Sequence, residues 1–211
     1  MIGFNLKHRL VSFGCSLTYG YGLPGCYNIR TTKQGMFPSK LAWPHLLAKL
    51  LDKKSTNLSE SGCSNKHIWN RIVNFKFKKN DTVIILWTYR YRNTVLKNKN
   101  DGHHIKPYNV EKDIISKNYY EQMFTEYDAT MMTKLVISQV NYFFQNENIP
   151  VYNLIVDKDN TDLLTLSNIT IPHIPVYFKD FEKNFPRGLD GVHPGNEAHA
   201  NFANQIYNYV N

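Results

Sequence analysis

The sequence predicts an α/β protein, a three-layer α/β/α sandwich around a mostly parallel central sheet. Three observations carry this. Short apolar runs at residues 10–13 (LVSF), 81–88 (DTVIILWT) and 150–156 (PVYNLIV) read as strands. Stretches with helical spacing alternate with them, the pattern of strands linked by helical crossovers. The second run is β-branched and apolar without alternation, as expected of a strand covered on both faces of a parallel sheet.

Along the chain, the first strand ends at Gly14, and GCSLTYGYGLPG follows it as a Gly-rich loop. Residues 43–51 (WPHLLAKLL) have helical spacing, with Pro44 tolerated in the first turn. Residues 57–65 (NLSESGCSN) read as a polar loop and 66–75 as a helix. A turn signal at Asn80-Asp81 opens the second strand. Residues 93–110 are polar, contain Gly102 and Pro107, and read as a long loop that could serve as a lid. A long helical stretch, broken once, covers 119–146. Residues 157–184 are ambiguous, with a short strand expected near 174–178. Ala198, Phe202, Ile206 and Val210 recur every four residues, so 196–210 closes the fold as a helix. No repeat or low-complexity linker divides the chain, and 1–211 reads as one domain.

Composition narrows the class. Hydrophobic residues make up 42% and aromatics 14%, enough for a real core rather than a disordered chain. The formal charge is +8, which permits loose attraction to polyanions. The lysines are scattered, however, so no specific nucleic-acid surface is expected. Three cysteines without a CxxC pair read as free thiols in a reducing compartment. The N-terminal segment lacks a sustained apolar core, and no run approaches a membrane span, so the expected location is the cytoplasm. The Asn-, Lys- and Tyr-rich composition hints at an AT-rich genome, a viral one included.

The chemistry concentrates in two places. Asp190 and His193 stand three apart in DGVHP, just before the last helix. In a tight turn the carboxylate can hold the imidazole in one tautomer and stabilise its charged form. A base of that kind needs a nucleophile, and Ser16 follows the first strand in a Gly-rich turn that could expose its hydroxyl. Structural alternatives stand beside this reading. Ser16 could be a turn serine, Asp190 a helix cap and His193 a loop residue. Cys15 could be a thiol nucleophile, and His103-His104 could bind a metal, though no third ligand is apparent. Arg90 and Arg92 suggest an anionic group nearby, or a structural salt-bridge pair.

In their order these segments resemble the SGNH/GDSL hydrolase superfamily. FGCSLTYG is similar to its first block, NLSESG to its second, and DGVHP to its fifth; VIILWTYR stands in place of the third, usually Gly-x-Asn-Asp. The resemblance implies a flavodoxin-like fold with Ser16, His193 and Asp190 as a catalytic triad. It implies an oxyanion hole from the backbone N–H groups of Ser16 and Gly62. Tyr89 falls where the family places a side-chain amide donor, and Asn65, Tyr89, Arg90 and Arg92 become candidate substrate contacts. Cys15 replaces an Asp that is usually structural. The implied activity is hydrolysis of an ester or O-acetyl group on a small molecule or a glycan, with no metal or organic cofactor. The rival is a non-catalytic module that binds a glycan or serves the assembly of a larger complex. The oligomeric state is left open.

Overall fold

The computed structural model describes residues 8–99, 101–166 and 169–211. In chain order its main strands are β1 (Arg9–Phe13), β2 (Lys54–Asn57), β3 (Thr82–Trp87), β4 (Asn93–Leu96), β5 (Gly102–Ile105) and β6 (Val151–Ile155). The main helices are α1 (Ser16–Tyr19), α2 (Trp43–Leu50), α3 (Asn65–Val73), α4 (Glu126–Glu147) and α5 (Asn196–Val210).

Four strands form the central sheet in the order β2-β1-β3-β6, all parallel. Val11 stands between Thr56 on one side and Val83 on the other. Every residue of β3 is buried, as its unbroken apolar run predicts. Parallel neighbours need crossovers, and crossovers are right-handed. The chain steps outward from β1 to β2 and then returns past β1 to β3. The helices α2 and α3 that make these opposite steps therefore fall on opposite faces. Packing agrees: α2 lies against α5, and α3 against α4. The result is the three-layer arrangement expected from the sequence. The reversal beside β1 opens a crevice beyond the carboxyl ends of β1 and β3, where open α/β sheets bind ligands.

Local chemistry explains the helices. Pro44 occupies the first turn of α2, where its missing N–H costs nothing. Trp43, Leu47 and Ala48 turn inward while Lys49 stays exposed. Ser64 caps α3 by accepting from the His67 N–H, and Thr125 caps α4 by accepting from Asp128. The break expected in 119–146 lies at Phe124 and Thr125, both extended. Trp43, Phe178 and Phe202 interlock under α5, with ring centroids 5.3 and 4.5 Å from Phe202. Polar side chains sit inside the sheet as well, Asn153 among them. Asn153 accepts from the Trp87 indole at 2.9 Å and donates to Asn141 at 2.8 Å, so its burial is compensated.

The structure corrects three expectations. Residues 93–110 are not a plain loop: β4 and β5 pair as an antiparallel hairpin, followed by a short 3-10 turn at Pro107–Asn109. Residues 54–57, not expected as a strand, pair along the edge of β1. No strand forms at 174–178, where Pro172 and Pro175 cannot donate to a ladder. That segment instead packs Ile174, Val176 and Phe178 into the core. Cys15, Cys26 and Cys63 are free and buried. Among the described residues no helix is long and apolar enough to cross a membrane. The first seven residues, part of the segment on which the expected absence of a leader rests, lie outside the described residues.

His199 on α5 is fully buried, and its Nδ1 accepts from the Trp43 backbone N–H at 3.2 Å. Its Nε2 has no partner among the described residues. Burial, helped by the charge of His193, lowers the imidazole from 6.5 to about 3. The folded chain therefore keeps His199 neutral where the unfolded chain protonates it. Stability from this group is complete above pH 6.5 and falls as pH drops towards 3, by about 1.4 kcal/mol per pH unit. We expect His199→Asn, which keeps an acceptor for Trp43 but cannot titrate, to flatten the fall of the urea midpoint between pH 6.5 and 4. An unchanged slope would exclude His199 as its source.

Candidate active site

Ser16 is the first residue of α1, directly after β1, at a strand–turn–helix bend. The helix is a single turn, closed by the Thr18 and Tyr19 N–H groups on the Cys15 carbonyl. At this first position the Ser16 N–H has no intrahelical partner and is free to donate elsewhere. Ser16 is only 6% exposed, and Cys15 beside it is fully buried.

Residues 186–195 form a loop bonded to itself. Gly188 donates to the His193 carbonyl at 2.7 Å and Gly195 to Pro186 at 2.9 Å. Asp190 organises its tip: Oδ1 accepts from the Val192 and His193 N–H groups at 3.1 and 3.0 Å, and Oδ2 meets His193 Nδ1 at 2.6 Å. Burial pushes the Asp190 carboxyl up, but these hydrogen bonds outweigh it and hold the pKa below the usual carboxylate value. With Nδ1 donating to Asp190, Nε2 is left as the accepting nitrogen of a neutral His193.

The loop docks on the turn that carries Ser16. Leu189 donates to the Gly22 carbonyl at 2.7 Å, and the Tyr21 ring lies 4.8 Å from the His193 ring. Tyr21 in turn donates to the Ser16 carbonyl at 3.0 Å. A side chain at Gly22 would strike the Asp190 carboxylate, since its Cβ would lie 2.6 Å from Oδ1. Among the described residues no hydrogen bond joins Ser16 Oγ to His193, a separation common when substrate is absent.

The loop carrying Gly62 lies against the same turn, because Gly14 accepts from the Glu60 N–H at 3.0 Å and from Cys63 Sγ at 3.4 Å. Gly62 has φ of +80°, and a Cβ there would stand 2.8 Å from Lys106 Nζ. Asn65 spends both ends of its amide on one backbone group: it accepts from the Thr88 N–H at 2.8 Å and donates to the Thr88 carbonyl at 2.9 Å. Tyr89 stacks on Tyr91 at 5.1 Å and packs against the core. Burial pushes its phenol pKa up, so it stays protonated. Arg90 is bound by Glu126 at 2.6 Å and Asp162 at 3.4 Å, the salt-bridge role. Arg92 donates to Thr88 Oγ1 at 3.2 Å and covers the Tyr89 ring at 5.1 Å.

His103 and His104 do not act as a pair. His103 meets Asp113 at 2.9 Å, whereas His104 meets Glu60 Oε1 at 2.8 Å. His67 meets Glu60 Oε2 at 2.9 Å. Glu60, His67 and His104 thus bring ligand-type atoms within 4.8 Å of one another and could hold a divalent ion. The same trio is self-sufficient as a clamp, since each carboxylate oxygen already faces one imidazole. The two histidines hold the Glu60 carboxyl far below the carboxylate range, against the opposing effect of burial. Sequence reading missed this trio because its members come from a loop, a helix and the unexpected hairpin. Lys106 was missed for the same reason.

No protein-family model matches the chain, and no curated protein does. Solved structures do. A lipase from a goat rumen metagenome matches over 97% of this chain and 98% of its own, at 13% identity and a TM-score of 0.55. The psychrotrophic esterase EstA from Pseudoalteromonas matches over 96% of both chains, at 15% identity and 0.50. An acetyl xylan esterase from Butyrivibrio proteoclasticus matches over 96% of this chain and 63% of its own, at 13% and 0.56. The chain has the SGNH/GDSL hydrolase-like fold, in a divergent form.

Two substitutions test these placements. Asn65→Ala strands a buried N–H and a buried carbonyl at Thr88, and we expect a loss of roughly 2–3 kcal/mol in chemical denaturation. A stability within 0.5 kcal/mol of wild type would return Asn65 to the pool of free substrate contacts. Tyr89→Phe removes a hydroxyl that has no role in this packing. Its turnover and stability should both match wild type, and a fall in kcat of about 100-fold would instead place that hydroxyl at the reacting oxygen.

Proposed function

We propose that this chain is a serine esterase, acting on an ester or O-acetyl group carried by a small molecule or a carbohydrate. The observation that carries the reading is Asp190 Oδ2 on His193 Nδ1 at 2.6 Å, in a loop docked on the turn that bears Ser16. The neutral His193 Nε2 takes the Ser16 proton as the hydroxyl oxygen attacks the ester carbonyl. Asp190 stabilises the imidazolium so formed. The Ser16 N–H, unpaired at the helix start, and the Gly62 N–H receive the negative oxygen. His193 then returns the proton to the leaving alcohol, and a water molecule repeats the cycle on the acyl-enzyme. Lipases and esterases among the similar structures support this chemistry, and the acetyl xylan esterase supports a carbohydrate ester. The reading covers the whole chain as one domain working in the cytoplasm.

A second reading, a non-catalytic module binding a glycan, is favoured by one observation. Ser16 is nearly enclosed and is not bonded to His193. A fluorophosphonate probe separates the two, because it labels only an activated serine. We expect one equivalent of label on the wild-type chain, none on Ser16→Ala, and hydrolysis of a chromogenic acetyl ester lost with it. Asp190→Asn should lower kcat by about 10⁴-fold with Ser16 still present, since the amide favours the wrong imidazole tautomer. An unlabelled wild-type chain that folds normally would leave the binding module standing.

A further inference from the structure

Among the described residues Arg92 is bonded to no carboxylate. Its Nε is sealed from solvent and has no hydrogen-bond partner among the described residues. One Nη reaches only the Thr88 hydroxyl. The groups with the largest effect on its charge are Cys15, Tyr108, Tyr91 and Cys63, none of them ionised as a rule near neutral pH. Folded proteins usually supply an acceptor for a buried N–H of a cation, because leaving it unmade is costly.

Lys106 is the second cation at the same place. Its side chain crosses Gly62, with Nζ and Cδ at 2.8 and 3.3 Å from where a Cβ would stand, and its ammonium lies 5.3 Å from the Tyr108 ring centre. Among the described residues no carboxylate is bonded to it. Asp113, whose charge reaches Lys106, is already engaged by His103 and Ser116. Arg92 also acts on Lys106 as a like charge. Geometry places both near one segment: Lys106 crosses Gly62, and Arg92 is bonded to Thr88, whose backbone is held by Asn65, three residues after Gly62. The pair therefore stands on the Gly62 side of the oxyanion hole assigned above.

We propose that Arg92 and Lys106 form an anion-binding site beside Gly62, which holds a carboxylate, phosphate or sulfate group carried by the ester substrate. The proposal deepens the esterase reading and rests on it for the word substrate; the anion site itself does not. Arg92 offers the Nη side of a fixed fork, and Lys106 a point charge on a flexible stem. An anion between them would remove the repulsion. The chain then selects acidic esters, and its net charge of +8 draws such substrates in.

The test uses the full chain with Arg92→Met and Lys106→Met, and Lys49→Met on the exposed side of α2 as the charge control. Thermal unfolding in sodium sulfate, against sodium chloride at equal ionic strength, reads the anion site without any turnover. Wild type and Lys49→Met should show the same added stabilisation by sulfate, and both site variants should lose it. The same shift in all four proteins would overturn the proposal. Kinetics then read the substrate, using two aryl esters of one dicarboxylic acid, with the far carboxylate free or methylated. Each site variant should lose roughly 10–100-fold in kcat/KM on the free acid and under about 3-fold on the methyl ester. Equal losses on both esters would assign the pair to the reacting oxyanion and overturn the substrate subsite. A chain that hydrolyses neither ester yet keeps the site-dependent sulfate shift would sink the esterase reading and retain the anion site. Arg92→Met, which frees the Thr88 hydroxyl and uncovers the Tyr89 ring, is the variant more prone to unfold; Lys106 carries the test without it.

Discussion

One carboxylate holds the walls of the crevice together. Glu60 gives its backbone N–H to Gly14, before the Ser16 turn, and its two oxygens to His67 on α3 and His104 on β5. Arg71 lies 3.7 Å away on the outer side. Three segments that the sheet alone would leave independent are thereby fixed to one another. The hairpin is also held by Thr94 Oγ1 against Ser64 Oγ at 2.8 Å and by the Asn70 amide on the Lys99 carbonyl at 3.1 Å, and Lys106 reaches Gly62 from just beyond the end of β5. Remove the carboxylate and the two imidazoles lose the acceptor that sets their orientation, while the hairpin loses one of its anchors.

The site divides into a part set by local sequence and a part set by contacts between distant residues. Asp190 and His193 are local: three residues apart in a turn, they meet with no help from the rest of the fold. The Ser16 bend is also local, a strand ending in glycine and continuing as one helical turn. These were legible because short-range geometry leaves few choices. The central strands were legible for a similar reason, since an unbroken apolar run such as 83–87 can be satisfied only where both faces are covered. Residues 54–57 escaped because KSTN is polar, and at an open edge hydrogen bonding to β1 decides the matter rather than burial.

What could not be read were partnerships across the fold. Nothing in NLSESG says that its glutamate meets histidines from α3 and from beyond β4. Nothing around Tyr89 says that Asn65 is consumed by the Thr88 backbone. Arg90 and Arg92 look equivalent in WTYRYR, yet one ends in a surface ion pair with Glu126 and the other keeps a buried Nε with no partner among the described residues. Strand residues two apart share a face, but the chain leaves β3 at Trp87, and beyond it that alternation no longer applies.

The docking of residues 186–195 on Gly22 has a consequence for biosynthesis. The Ser16 turn, β1 and β2 leave the ribosome early and pair over short separations. Their partner loop arrives only after β3, the hairpin, α4 and β6 have been made. Contacts of such wide sequence separation close late. On the proposed reading the serine therefore spends translation as an ordinary alcohol, with no base beside it. Reactivity is switched on when that loop docks, and a product truncated before residue 186 would carry the nucleophile harmlessly.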